Sequence, residues 1–282
     1  MLNIIGRRYW FFGLSLLVII PGLTALALWG LPMAFDITGG SLLEVRFESG
    51  EPPAPAEVVT LYQELNISVP QVQRAGTNDI VASSEPIDEA TKIEIITEME
   101  SRFGGPITVL RFDSIGPSVG MEIVQRVIGA VGLAALGIMA YITYVFRDVP
   151  HAFRYSLAVI IAMLHDVAVV IGFEAIFGHF LGWEVDTLFL TALLTIIGFS
   201  VYDSIVVFDR IRENQRIHHR LDYETLVNHS IVQTLNRSTS TQLIVILTLL
   251  ALLLFGGVTT RHFVVILLIG LFSGTYSSIF IA

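Results

Sequence analysis

The chain contains no cysteine, which excludes disulfides, a thiolate metal site and a cysteine nucleophile. That absence suits a domain outside the cytoplasm that folds without covalent staples. Charge is also scarce: 15% of the 282 residues are Asp, Glu, Lys or Arg, against 54% hydrophobic. Soluble domains carry about 25% charge, so most of this chain is built for lipid rather than water. No basic patch suited to phosphates is present, which excludes a nucleic-acid partner, and no solenoid repeat or low-complexity tract interrupts the sequence.

The charge that is present is unevenly placed. Residues 32–120 hold 14 Asp+Glu and 5 Lys+Arg, a net of −9 that equals the net charge of the whole chain. The acidity therefore belongs to one water-exposed segment. On either side of it lie apolar runs of about 20 residues, the length that crosses a bilayer. Six qualify: Tyr9–Leu31, Val127–Phe146, Tyr155–Phe177, Thr187–Phe208, Leu235–Gly256 and Phe263–Ala282. The expected architecture is a polytopic α-helical membrane protein with six transmembrane helices and one inserted α+β domain. Residues 1–31 hold the N-terminus and first span, 32–120 the inserted domain, and 121–282 the other five spans, with a cytoplasmic loop at about 210–234. Arg7-Arg8 before the first run and Ala25-Leu26-Ala27 near its end resemble a secretory signal, but the run is longer than a signal core, and it is expected to remain as a span.

Arginine sets the orientation, because short loops rich in it stay in the cytoplasm. Arg7-Arg8, Arg147 and Arg154, then Arg210, Arg212, Arg216, Arg220 and Arg237 fall at alternate span ends, whereas the intervening short connections offer Arg261. Both termini are expected in the cytoplasm and the acidic domain outside. Trp10, Trp29 and Trp183 stand at span ends, where interfacial anchors belong.

The inserted segment reads as strand Leu42–Phe47, helix Ala56–Leu65 and strand Ser68–Arg74. After a turn at Asn78-Asp79 come strand Ile80–Ala82, helix Asp88–Phe103 and strand Ile107–Phe112. This is βαββαβ, the ferredoxin-like order.

Ionisable side chains inside a span are costly and point by default to function. His165 and Asp166 lie near the middle of the third span, Glu174 nearer its outer end and Asp203 in the fourth. Glu174 is close enough to the interface to snorkel. Asp203 has apolar residues on both sides and no base in its own helix, so it needs a partner elsewhere. Arg237, read as lying in the first turn of the fifth span beside the polar run Ser238–Gln242, is the natural one. A movable guanidinium there would switch the carboxyl between proton-accepting and proton-releasing forms, whereas a fixed one would lock two helices. His165-Asp166 could extend a proton relay, although adjacent residues point about 100° apart on a helix and are not expected to share one contact. The Ser/Thr run and Gly270–Gly274 are small-residue surfaces for close helix packing. Asp209–Asn214 continues the fourth span into water, as a solvated helix or a docking segment.

Several segments taken in order resemble the SecF subunits of the SecD/SecF family, within the resistance-nodulation-division superfamily. They are Phe35-Asp36-Ile37-Thr38-Gly39-Gly40, Ile115-Gly116-Pro117-Ser118-Val119-Gly120, Leu164-His165-Asp166-Val167, the run from Ile197 to Asn214 with Asp203, Asp209 and Arg210, Thr234–Ser238, and Phe255-Gly256-Gly257. The resemblance implies a non-enzymatic subunit of the bacterial inner membrane that pairs with SecD. Its other implied partners are the SecYEG channel, YajC, YidC and the translocating preprotein. It implies no cofactor and a drive by the proton-motive force, with Asp203 and Arg237 in the proton pathway. Val201-Tyr202 stands where relatives often have Leu-Asn, which leaves Na⁺ open as the coupling ion. The family usually continues into a cytoplasmic tail beyond the position of Ala282. Three other readings compete: a passive scaffold with a static Asp203/Arg237 pair, an intramembrane aspartyl protease using Asp166 and Asp203, and a small-molecule exporter. Ala162-Met163-Leu164-His165-Asp166 lacks the glycines of the protease signature, and the chain is short for an exporter.

Overall fold

Backbone amides inside hydrocarbon must be satisfied within their own segment, so each apolar run becomes a helix. The computed structural model describes residues 3–48, 52–68, 71–75, 77–147, 152–218 and 220–282. Among the described residues, six helices are long and apolar enough to cross a membrane. They are α1 (Arg8–Trp29), α5 (Pro117–Val145), α6 (Ala152–Leu181), α7 (Thr187–Ile217), α8 (Tyr223–Phe255) and α9 (Val258–Phe280). The chain divides into two compact units, residues 33–128 and the remainder.

In the first unit the order is α2 (Phe35–Thr38), β1 (Gly40–Phe47), α3 (Pro55–Glu64), β2 (Gln71–Ala75), β3 (Asp79–Ser84), α4 (Glu89–Phe103) and β4 (Ile107–Ile115). Residues 69 and 70, read from sequence as strand, lie outside the described residues. The strands form one antiparallel sheet in the order β2-β3-β1-β4. Alternation along β1 sends Leu43, Val45 and Phe47 inward, where they meet Ile80 and Ala82 of β3, Val58, Leu61 and Tyr62 of α3, and Ile95 and Met99 of α4. Asp88 caps α4 by accepting from the Thr91 amide at 2.9 Å, and Glu57 returns to the Ala54 amide at the start of α3. Hydrogen bonds from Thr91 hold the Asp88 carboxyl below the usual carboxylate range.

The glycine motifs explain themselves here. Gly39 takes φ +82°, a conformation that favours glycine, and turns the chain from α2 into β1. A Cβ on Gly40 would lie 2.7 Å from the Ser84 carbonyl, and one on Gly120 would collide with the Ile37 carbonyl. The two motif segments, 35–40 and 115–120, are thus a single packed junction. Asp36 sits in the first turn of α2, while Gly116 immediately precedes α5 and Pro117 begins it.

In the bundle unit α6, α7 and α9 form the buried centre, with α1 and α8 packed against them and the end of α5 joining through Ile142 and Phe146. Glycine sets the closest crossings. Gly22 of α1 and Gly172 of α6 approach until a Cβ on either would lie 2.8 or 2.7 Å from the other's Cα. The Gly270–Gly274 surface does what its composition suggests: Gly270 receives Ile196 of α7, and Gly274 faces Ser200. One span end carries Arg8 bound to Glu224 at 2.9 Å and the Ile4 amide bound to Asn228 at 2.8 Å, tying the start of α1 to the start of α8.

The segment 210–234 departs from its reading as a loop. The helix α7 runs on to Ile217 and α8 starts at Tyr223, capped by Asp222 through the Thr225 amide at 3.0 Å. The cause is a polar interface that hydropathy does not register. Asn214, 1% exposed, donates to Ser230 Oγ at 2.8 Å and to Gln233 Oε1 at 2.9 Å, while Arg210 reaches Gln233 and Glu213 at 2.6 Å. Asp209 pairs with Arg212 at 3.1 Å. The α7 extension therefore docks on α8 along one face.

The glycine crossing gives a direct test. Gly172→Leu forces α1 and α6 apart and is expected to destabilise the bundle by about 1–3 kcal/mol or more, seen as a lower thermal midpoint in detergent, whereas Gly132→Leu, with open space at its Cβ, should leave it unchanged.

Candidate functional site: carboxylates buried in the bundle

A carboxyl in a low-dielectric interior survives only with donors arranged around it. Asp166 of α6 is 1% exposed and has three: Ser273 Oγ donates to Oδ1 at 2.6 Å, Ser277 Oγ donates to Oδ2 at 2.6 Å, and His165 Nδ1 lies 3.0 Å from Oδ1. The two serines are four residues apart on α9, so one helical face presents both. His165 spans two helices, because its Nε2 lies 2.6 Å from Ser15 Oγ of α1 while its ring stacks near Tyr276. Neighbouring residues were expected to point apart. The imidazole bridges the gap, reaching α1 with one nitrogen and its neighbouring carboxylate with the other.

Asp203 of α7 is 2% exposed and accepts from Gln242 Nε2 of α8. The expected pairing with Arg237 is absent from the structure: among the described residues Asp203 takes Gln242, and Arg237 is exposed. The reason is helical phase. Because α8 begins at Tyr223, Arg237 lies four turns in rather than in the first turn. The buried stripe of α8 is Ser230, Thr234, Ser238 and Gln242, at strict four-residue spacing, and Arg237 is turned about 100° away from Ser238. That spacing is visible in the sequence and is the signal that identifies Gln242.

Between the carboxylates lies more polar surface. A Cβ on Gly274 would sit 3.6 Å from Ser200 Cβ and 3.7 Å from Asp166 Oδ2, so Gly274 packs between Ser200 of α7 and the Asp166 carboxylate, and Ser200 lies one turn before Asp203. Ser200 Oγ, Ser238 Oγ and Gln242 Oε1 are buried and have no hydrogen-bond partner among the described residues. Carboxylate, hydroxyl and amide oxygens of this kind suit a proton or a hard cation. Among the described residues no three His, Cys, Asp or Glu side chains converge as a metal site.

Glu174 differs from its reading as a snorkelling residue. It is fully buried, and its Oε2 lies 2.9 Å from His262 Nε2 of α9. The helix α6 continues to Leu181, so Glu174 stands almost two turns inside it and faces the bundle. His262, in the second turn of α9, escaped the sequence reading because one histidine beside a span end carries no distinguishing pattern.

The hydroxyl cradle of Asp166 generates a prediction. Ser273→Ala with Ser277→Ala leaves a buried carboxyl short of donors and is expected to cost about 1.5–3 kcal/mol per lost bond, measured as thermal unfolding in detergent, and adding Asp166→Leu should recover much of the loss.

Residues 95–282 match the family described as "Protein export membrane protein SecD/SecF, C-terminal". The "Protein translocase subunit SecF" of Anaerolinea thermophila is 57% identical over 100% of this chain and 92% of that protein. The one from Thermobaculum terrenum is 48% identical over 99% of this chain and 91% of that protein. A crystal structure of SecDF from Thermus thermophilus, described as a translocon-associated membrane protein, superposes with a TM-score of 0.83 at 31% identity. It is matched over 99% of this chain, which spans 37% of that solved chain.

Proposed function

The chain belongs to the SecD/SecF family of protein-export membrane proteins, and on that premise we propose that it is the SecF-type subunit of a preprotein translocase, coupling proton movement to export. In this reading it pairs with a SecD subunit and acts at the SecYEG channel on emerging preproteins. YajC and YidC are carried as partners by the family resemblance alone. The membrane is the bacterial inner membrane, with both termini cytoplasmic, a placement supported by the alternation of arginine along the span ends. The unit 33–128 is read as a ferredoxin-like domain outside the cytoplasm, supported by its βαββαβ order and the strand order β2-β3-β1-β4.

The observation that carries the coupling is Asp203, buried in an apolar helix and held by an uncharged amide. An Asp locked to an arginine changes protonation only by breaking an ion pair, whereas one facing Gln242 does not. As a carboxylate it accepts from the Gln242 amide nitrogen. As a neutral acid it becomes a donor, and Gln242 Oε1, buried without a partner among the described residues, is an acceptor within the same side chain. Protonation thereby reverses the direction of one hydrogen bond between α7 and α8. One charge moving through 100 mV supplies about 2.3 kcal/mol, enough to bias a two-state packing of helices by more than tenfold. Arg237 keeps a role as a mobile cation on the exposed side of α8, able to approach Asp203 in a different rotation of that helix. Sodium in place of the proton would use the same oxygen donors.

The static hydrogen bond between Asp203 and Gln242 is also what a passive scaffold would have, so substitution must separate the two readings. Asp203→Asn keeps the shape and removes titration. In membrane vesicles containing the full complex, with assembly checked by co-purification of the SecD-type partner, the force-dependent component of preprotein translocation is expected to fall to background. Unchanged translocation with intact assembly would establish the passive scaffold.

A further inference from the structure

We propose that Glu174 and His262 form a second proton-binding site, at the end of the bundle where α6 finishes and α9 begins, exchanging protons with the water on that side. Glu174 is 0% exposed, Oε2 lies 2.9 Å from His262 Nε2, and Oε1 has no hydrogen-bond partner among the described residues. A carboxylate in such a place is stable only if a proton is nearby to neutralise it, and the imidazole is the group in contact that can supply one.

The groups facing the pair leave it that role. Across α1, the residues between Tyr9 and Trp29 include none that titrates, and the crossing itself is glycine on glycine. Along α7 none titrates from Thr187 to Val201, and Asp186 before it caps that helix through the Phe189 amide at 2.6 Å. The α6–α7 connection adds Glu184, which has interactions of its own. On α9 the neighbouring Arg261 is exposed, and on α6 itself His179 is stacked on Trp29 with centroids 4.0 Å apart. Asp166 and His165 stand about 12 Å deeper along α6.

The pair therefore carries one shared proton, either as carboxylate and imidazolium or as carboxylic acid and neutral imidazole. Those two forms differ only in which side of a 2.9 Å contact holds the proton. Removing it leaves a buried anion and adding a second leaves a buried cation, so the net-neutral state is the stable one and each exchange passes through a charged form. Trp183 and Phe189 flank the imidazole, with ring centroids 4.6 and 6.3 Å away. His262 nevertheless keeps 17% of its side-chain surface accessible while Glu174 keeps none, which makes the imidazole the exchange face and the carboxyl the store.

The assignment concerns protonation and holds whether or not Asp203 couples protons to export; its use in export rests on that proposed reading. The test is isotope-edited infrared difference spectroscopy on the full chain assembled with its SecD-type partner in lipid nanodiscs, with labelled glutamate, between alkaline and acidic buffer. A titrating glutamate carboxyl band is expected in the native protein, lost in Glu174→Gln and displaced in midpoint in His262→Gln, with thermal unfolding retained in the latter. A difference spectrum unchanged by Glu174→Gln, or a midpoint unmoved by His262→Gln, would overturn the proposal.

Discussion

Everything in the bundle depends on one constraint: a polar atom placed among hydrocarbon must find its partner inside the protein. The six long helices satisfy their backbones internally, which leaves a handful of side chains to be accommodated. Each carboxylate is met by its own set of partners. Two serines and an imidazole hold Asp166, an amide holds Asp203, and a second imidazole meets Glu174. None of these partners carries a permanent charge. Among the described residues, none of the three buried acids is tied to an arginine or a lysine.

The same constraint explains the small residues. Glycine at 22, 172, 270 and 274 lets α1, α6, α7 and α9 approach closely enough for short hydroxyls to reach across. Gly274 makes the point locally: it packs against both Ser200 of α7 and the Asp166 carboxylate, while Ser273 and Ser277, on the same helix, supply the donors. Packing and polar chemistry are one design in this region, and a larger residue at 274 would disturb both.

Much of this was legible in the sequence, and the boundary of legibility has physical causes. Apolar length reveals the six long helices, because it is a property of residue order alone. The alternation Leu43, Val45, Phe47 and the capping Asp88 likewise disclose β1 and α4. Partners of buried groups are another matter, since they depend on helical phase and on which helices are neighbours. Taking α8 to begin near Leu235 made Arg237 a first-turn residue at the right depth. The helix begins at Tyr223, and its buried stripe passes through Ser238 and Gln242 instead. For Glu174 the error came from measuring distance to the end of the apolar run rather than to the end of α6. The α7 extension shows a third limit. Its docking on α8 rests on Asn214, Ser230 and Gln233, whose polarity looks the same whether it faces water or another helix.

The central claim is that Asp203 takes up and releases the proton that drives the cycle. Preprotein-dependent proton uptake, followed with a pH-sensitive dye in proteoliposomes holding the full translocase complex, measures this without relying on export yield. The account predicts uptake with the native chain and with Tyr202→Phe, whose exposed side chain plays no part in the site, and none above background with Asp203→Asn. Equal proton uptake by the native and Asp203→Asn complexes would contradict it.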